Sequence, residues 1–160
     1  MPTTRAPFLI HILPPVWLVF FLATGLAAHY LVPESHVFYI AYPYVSDTIG
    51  AFLLVVGFAL PLWASNIFAI EMTEILSASP SNRVLVTRGP YRFSRNPMYL
   101  GMVLMLLGLA VYLGTLPMFA ATLAHFLVLN FVFVPFEEAK MARQFGEAYT
   151  VYTRSVRRWL

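Results

Sequence analysis

The chain has 160 residues, of which 60% are AVILMFWYC and only 11% are charged, and its mean hydropathy is +0.75. Soluble domains keep about a quarter of their residues charged to cover their surface, so this composition excludes a water-soluble enzyme or a nucleic-acid module and points to an integral membrane protein. Zero cysteines exclude disulfides, thiolate zinc sites, cysteine nucleophiles and thiol lipidation; His11, His29, His36 and His125 offer no pair at ligand spacing on one uninterrupted helix, so no metal site is expected.

In chain order, the first apolar run covers about 8–31. Arg5 precedes it and Gly25-Leu26-Ala27 is small-x-small, as in a signal peptide. The run is longer than a secretory h-region and three more follow, so it reads as a retained helix. Pro14-Pro15 should kink it or delay its regular start. The second run covers about 47–70. After a polar segment comes the third, about 97–113, in which Gly101 and Gly108 share a face and permit close approach of a neighbour. Gly114-Thr115-Leu116 is so short a link that the third run and the fourth, about 117–136, must form a tight antiparallel hairpin. Over 137–155, Phe145, Tyr149 and Tyr152 fall at i, i+4 and i+7, the stripe of an amphipathic helix lying on a membrane face. Gly146 should break or bend it. The expected fold is therefore an all-α integral membrane protein, one domain of four transmembrane helices with a cytoplasmic-face C-terminal amphipathic helix.

All ten Lys and Arg fall before the first run, between the second and third, or after the fourth. With four spans those segments share one side, and the positive-inside rule places both termini and the long loop in the cytoplasm. Of the seven acidic residues, Glu34 and Asp47 lie on the opposite side. The lipid bilayer, with its anionic leaflet, accounts for the net charge of +3 without any nucleic acid. The absence of cysteine and this topology suit a prokaryotic inner membrane.

Chemistry is expected in the two polar segments. In the loop over 80–97, Gly89-Pro90 is a turn signal, Asn96 suits an N-cap and Pro97 the first helical position. Capping does not explain Arg88, Arg92 and Arg95 with Tyr91 and Tyr99; two readings fit these, contact with lipid headgroups or a binding site. At the end of the fourth run, Glu137-Glu138 are adjacent carboxylates at a bilayer boundary, costly unless paired or hydrated. Pairing with Lys140, Arg143 or the arginine loop is one reading, and a ligand site the other. Asn130, seven residues before Glu137, either extends a polar pocket into the membrane or joins helices. His125 lacks an acidic intramembrane partner and is assigned no role.

The ordered pattern LVTRGPYRFSRNPMYLG, an apolar hairpin, then EEAKMARQFGEAYTVYTRSVRRWL resembles the isoprenylcysteine carboxyl methyltransferase and phospholipid methyltransferase superfamily over residues 80–160. The resemblance implies an integral membrane enzyme that transfers a methyl group from S-adenosyl-L-methionine to a lipidic or amphipathic small molecule. It implies that Arg83, Val84, Leu85, Val86 and Tyr91 lie along the nucleoside, that Asn96, Pro97, Met98 and Tyr99 hold the aminoacyl end or the adenosine, and that Glu137 with Glu138 closes the pocket. Tyr149 and Tyr152 would pack the last helix over it as a lid. Arg95 and Glu138 are the candidate catalytic residues. Two positions depart from the family pattern. Asn96 stands where histidine is usual and can hydrogen-bond but not titrate. Phe133 stands where an arginine can hold a substrate carboxylate, leaving Arg92, Arg95 or Arg154 to substitute. The expected reaction is methylation of a carboxyl group of an isoprenylcysteine-like substrate. The alternatives are amino-group methylation of a phospholipid, which needs a base; an NADPH-dependent membrane reductase; and a non-enzymatic scaffold or transporter.

Overall fold

A computed structural model of the chain describes residues 12–32, 43–71 and 84–160. Arg83, residues 8–11 of the first predicted run and most of the polar segment before residue 84 lie outside them. Every regular element among the described residues is helical: α1 (Pro14–Leu31), α2 (Pro43–Ile70), a 3₁₀ turn (Gly89–Arg92), α3 (Pro97–Leu113), α4 (Leu116–Val128), a π segment (Leu129–Phe133) and α5 (Val134–Ser155). Three stretches are long and apolar enough to cross a membrane: α1, α2 from Tyr44, and the continuous helix Leu116–Ser155. α3 is apolar over 17 residues, about 26 Å of helix.

The prolines set the helix starts. α1 begins at Pro14, where the missing N–H of the first turn costs nothing, so the proline pair delays the helix rather than kinking it, and the expected start near residue 8 is replaced. The described part of α2 begins at Pro43, before the expected Asp47. α3 ends where Gly114 adopts a left-handed conformation (φ 64°) and its N–H reaches the Ala110 carbonyl at 2.9 Å. An L side chain is strained there, which is why the hairpin turns at this residue.

α2 and α3 form the most extensive contact, along a seam of four glycines. Gly50 faces Gly108 and Gly57 faces Gly101, so each helix contributes two glycines seven residues apart. A Cβ on Gly108 would meet the Gly50 carbonyl at 2.8 Å, and one on Gly101 the Gly57 carbonyl at 2.7 Å. Pro61, four residues after Gly57, has no N–H to offer that carbonyl. Backbones approach this closely only where small residues line the contact. α1 packs on α4 through Gly25, Met118 and Ala121, and Leu106, Ala110 and Met118 form a core shared with Leu18, Phe21 and Leu22. Large apolar side chains face outward on α1 and α2, among them Val19, Phe52 and Phe58, the surface that lipid covers.

The expected boundary at residue 136 between a fourth span and a separate helix is not found. Pro135 cannot donate to the Phe131 carbonyl and its ring crowds it, and the chain responds by widening into a π turn. Val134 N–H then bonds to the Leu129 carbonyl five residues back, and the helix continues. The actual break is at Gly146 (φ 52°, ψ −118°), as the glycine predicts. The Phe145, Tyr149 and Tyr152 stripe does not lie on an outer face. Tyr149, Tyr152 and Val156 are buried, with Leu85, Met141 and Phe145 packed against them.

Candidate functional site

The residues before and after the α3–α4 hairpin meet around a cavity of about 210 Å³, more than ten times the roughly 10–15 Å³ that one water needs. Its walls come from four parts of the chain: Pro14 at the start of α1, Phe68 near the end of α2, the segment from Val84 through Met102, and Glu137 to Tyr152 on α5. The irregular loop is held against α2 by apolar contacts. Val86 and Tyr91 are buried with Ala64, and the Phe68 and Tyr91 rings lie 5.3 Å apart. An Arg88–Glu71 ion pair at 2.5 Å ties the same loop to the residue following α2.

Among the described residues lining the cavity, Glu137 is the only carboxylate and Arg95 the only guanidinium. Tyr99, buried in the first turn of α3, donates its hydroxyl to Glu137 Oε1 at 2.5 Å. Tyr152 on α5 donates to the Tyr91 carbonyl at 2.8 Å, closing the last turn of α5 over the loop. Burial, reinforced by Glu137 and Tyr152, pushes the Tyr91 phenol far above the ordinary tyrosine range. The ring therefore presents a neutral face and hydroxyl to the cavity at any physiological pH.

Glu138 points elsewhere. It accepts from Arg158 Nε at 3.1 Å and Nη2 at 2.6 Å, and pairs with Arg95 Nη1 at 3.1 Å. The hydrogen bond to Glu138 raises the Arg158 pKa further. The two adjacent glutamates thus separate: Glu137 faces the cavity and Glu138 joins an ion-pair network beside it. Arg95 belongs to both, since it lines the cavity while holding Glu138, and its Nε is buried with no hydrogen-bond partner among the described residues.

Of the residues expected to hold the cofactor, Val84, Leu85, Val86, Tyr91, Asn96, Pro97, Met98, Tyr99 and Glu137 all line this one cavity. Glu138 does not, and Arg83 lies outside the described residues. Asn96 precedes α3, but its side chain makes no capping bond; Nδ2 donates instead to the Arg158 carbonyl at 3.0 Å. Asn130 does not extend the pocket. It lies within the π segment and outside the cavity lining, and its Oδ1 accepts from Trp159 Nε1 at 3.0 Å. Phe133 is fully buried and edge-on to Tyr99. Of the three arginines that could replace a cationic residue there, Arg95 lines the cavity, whereas Arg92 and Arg154 are exposed. Sequence reasoning missed Leu13, Pro14, Pro15, Phe68, Met102 and Met141 in the lining. Met102 alone carried a local signal, one turn beyond Met98.

A half-buried carboxyl group and guanidinium among tyrosines, lining one cavity at the end of a helical bundle, define a small-molecule site open to amphipathic ligands. Comparison with known proteins places it. The family model for phospholipid methyltransferases matches residues 45–148; the chain belongs to that family of membrane methyltransferases. Among solved structures, the fold resembles that of the eukaryotic intramembrane Ras methyltransferase, isoprenylcysteine carboxyl methyltransferase, with a TM-score of 0.63 and 24% identity over 89% of this chain. The chain spans 50% of the length of that protein. A search of the curated proteins gives no significant match.

Proposed function

We propose that the cavity binds S-adenosyl-L-methionine and that the protein methylates a lipidic or amphipathic acceptor, with a carboxyl group of an isoprenylcysteine-like molecule as the first candidate. The observation that carries the cofactor reading is Glu137, a carboxyl group fixed by Tyr99 in a cavity otherwise lined mainly by apolar and aromatic side chains. The ligand it suits has an ammonium group beside an aromatic base and a sulfonium. Glu137 meets the ammonium, tyrosine faces favour the sulfonium, and the 84–86 strip with Tyr91 and Met98 accommodates the nucleoside. The cofactor supplies an electrophilic methyl group; the chain's residues position the acceptor in line with it and exclude water.

Arg95 supports a carboxylate acceptor. Its buried Nε lacks a partner among the described residues, and an anionic oxygen entering the cavity would supply one. A carboxylate nucleophile needs no base. The phospholipid amino-group reading follows from the family match and requires one; Glu137 is the only candidate lining carboxylate, and it is already engaged by Tyr99. Four spans, counting α3, with both termini on the cytoplasmic side of a prokaryotic inner membrane, complete the reading. On that topology the cavity opens where the arginine loop meets the bilayer.

The test offers radiolabelled methyl donor with either a farnesylcysteine analogue or phosphatidylethanolamine vesicles. Base-labile methyl ester on the first acceptor, at a rate flat across pH 6.5–8.5, supports the carboxyl reading. Methylated amine on the second, at a rate rising with pH, replaces it with the phospholipid reading, and label on neither refutes both acceptors.

A further inference from the structure

Residues 156–160, after α5, turn back across the loop that enters α3. The Arg95 N–H donates to the Arg157 carbonyl at 3.0 Å. Ser94 Oγ and Asn96 Nδ2 both donate to the Arg158 carbonyl, at 3.3 and 3.0 Å. Arg158 thereby holds one wall of the cavity with its backbone and the other with its side chain, because its guanidinium forks onto Glu138, next to Glu137. Trp159 adds a third attachment through Asn130 of the π segment and a ring contact with Phe126 at 5.1 Å. None of residues 157–159 lines the cavity.

We infer that Arg158 and Trp159 are positioning residues, a clamp that sets the separation between the 94–97 loop and Glu137 and keeps Arg95 aimed into the cavity. The inference rests on the cofactor reading above. The loop over 84–96 has no regular structure beyond one 3₁₀ turn, so its placement depends on such tertiary attachments. The two guanidiniums share Glu138. Without Arg158, Arg95 is left to neutralise Glu138 alone, and its guanidinium is drawn toward that carboxylate. Lysine cannot reproduce the fork, since it offers a single compact charge. The backbone carbonyl of residue 158 survives any side-chain change, so substituting Arg158 releases the α5 wall while leaving the loop attachment in place.

The experiment measures S-adenosylhomocysteine affinity by calorimetry on the full chain in lipid nanodiscs, for wild type, Arg158→Gln, Arg158→Lys and Trp159→Phe, at a temperature well below the melting point of each. The clamp predicts roughly tenfold weaker binding for Arg158→Gln and an intermediate loss for Arg158→Lys. A role confined to folding lowers melting temperature and leaves the affinity of the folded protein unchanged. Trp159→Phe keeps an aromatic ring beside Phe126, removes the Asn130 hydrogen bond and trims the packing against Tyr99 and Phe133; a loss of a few-fold is expected, and it carries the same test where Arg158→Gln does not fold. Wild-type binding with equal affinity in folded Arg158→Gln and Trp159→Phe overturns the clamp alone. Failure of the wild type to bind overturns the cofactor reading and the clamp with it.

Discussion

Replacing Glu137 by glutamine keeps the shape of the side chain and its acceptor oxygen for Tyr99 while removing the charge. Tyr99 is 6% exposed and donates to Glu137 at 2.5 Å, so the carboxyl group is held by a buried hydroxyl. A hydrogen bond to a charged group contributes about 1.5–3 kcal/mol. If Glu137 meets the ammonium of the cofactor, Glu137→Gln weakens S-adenosylhomocysteine binding by roughly 10- to 150-fold. Tyr99→Phe leaves the charge and removes one of its supports, so its loss should be smaller, on the order of fivefold. Calorimetry in nanodiscs measures both, with far-UV circular dichroism confirming helix content. Affinities within twofold of wild type for folded Glu137→Gln, or a larger loss for Tyr99→Phe than for Glu137→Gln, would refute the assignment of that carboxylate to the ligand.

Gly101→Leu drives a side chain into Pro61 and the Gly57 carbonyl, neither of which can rotate away; overpacking of this kind costs about 1–3 kcal/mol or more, and the melting temperature in detergent should fall well below that of the wild type. Asn96→Ala should weaken cofactor binding several-fold with helix content unchanged, because the side chain holds the Arg158 carbonyl rather than capping α3; loss of helix without loss of affinity would return it to the capping role. Arg95→Ala should abolish most turnover while Arg92→Ala, on the exposed side of the loop, retains it, as measured with the labelled methyl donor. Because burial raises the Tyr91 phenol, its contribution to stability is complete below about pH 10, the ordinary tyrosine value, and is lost as pH climbs above it. The difference absorbance between wild type and Tyr91→Phe should show no tyrosinate signal at pH 10.

Local signals were readable and long-range ones were not. Pro97 and Gly114 bound α3 at the predicted residues because a proline start and a left-handed stop act within one turn of chain. Gly101 and Gly108 announced a close contact, but their partners Gly50 and Gly57 emerge only when α2 is laid antiparallel beside α3. Pro135 was visible in the sequence, yet its outcome was not. A proline in a helix can end it, kink it or widen it into a π turn, and the choice here keeps α4 and α5 continuous, with Asn130 inside the π segment and outside the cavity lining. The loop and Glu137 were legible as site residues through family resemblance, whereas the α1 and α2 lining, Leu13, Pro14, Pro15 and Phe68, is supplied by packing. The division of labour between Glu137 and Glu138 depends on Arg158, twenty residues beyond Glu138, and no periodicity encodes it.

The central claim is that this cavity holds a methyl donor. The most direct measurement is equilibrium binding of S-adenosyl-L-methionine, S-adenosylhomocysteine and NADPH to the full chain in lipid nanodiscs. The expected result is saturable binding of the first two, weakened roughly 10- to 150-fold in Glu137→Gln, and none of NADPH. Binding of NADPH instead, or of none of the three by folded protein, would contradict it.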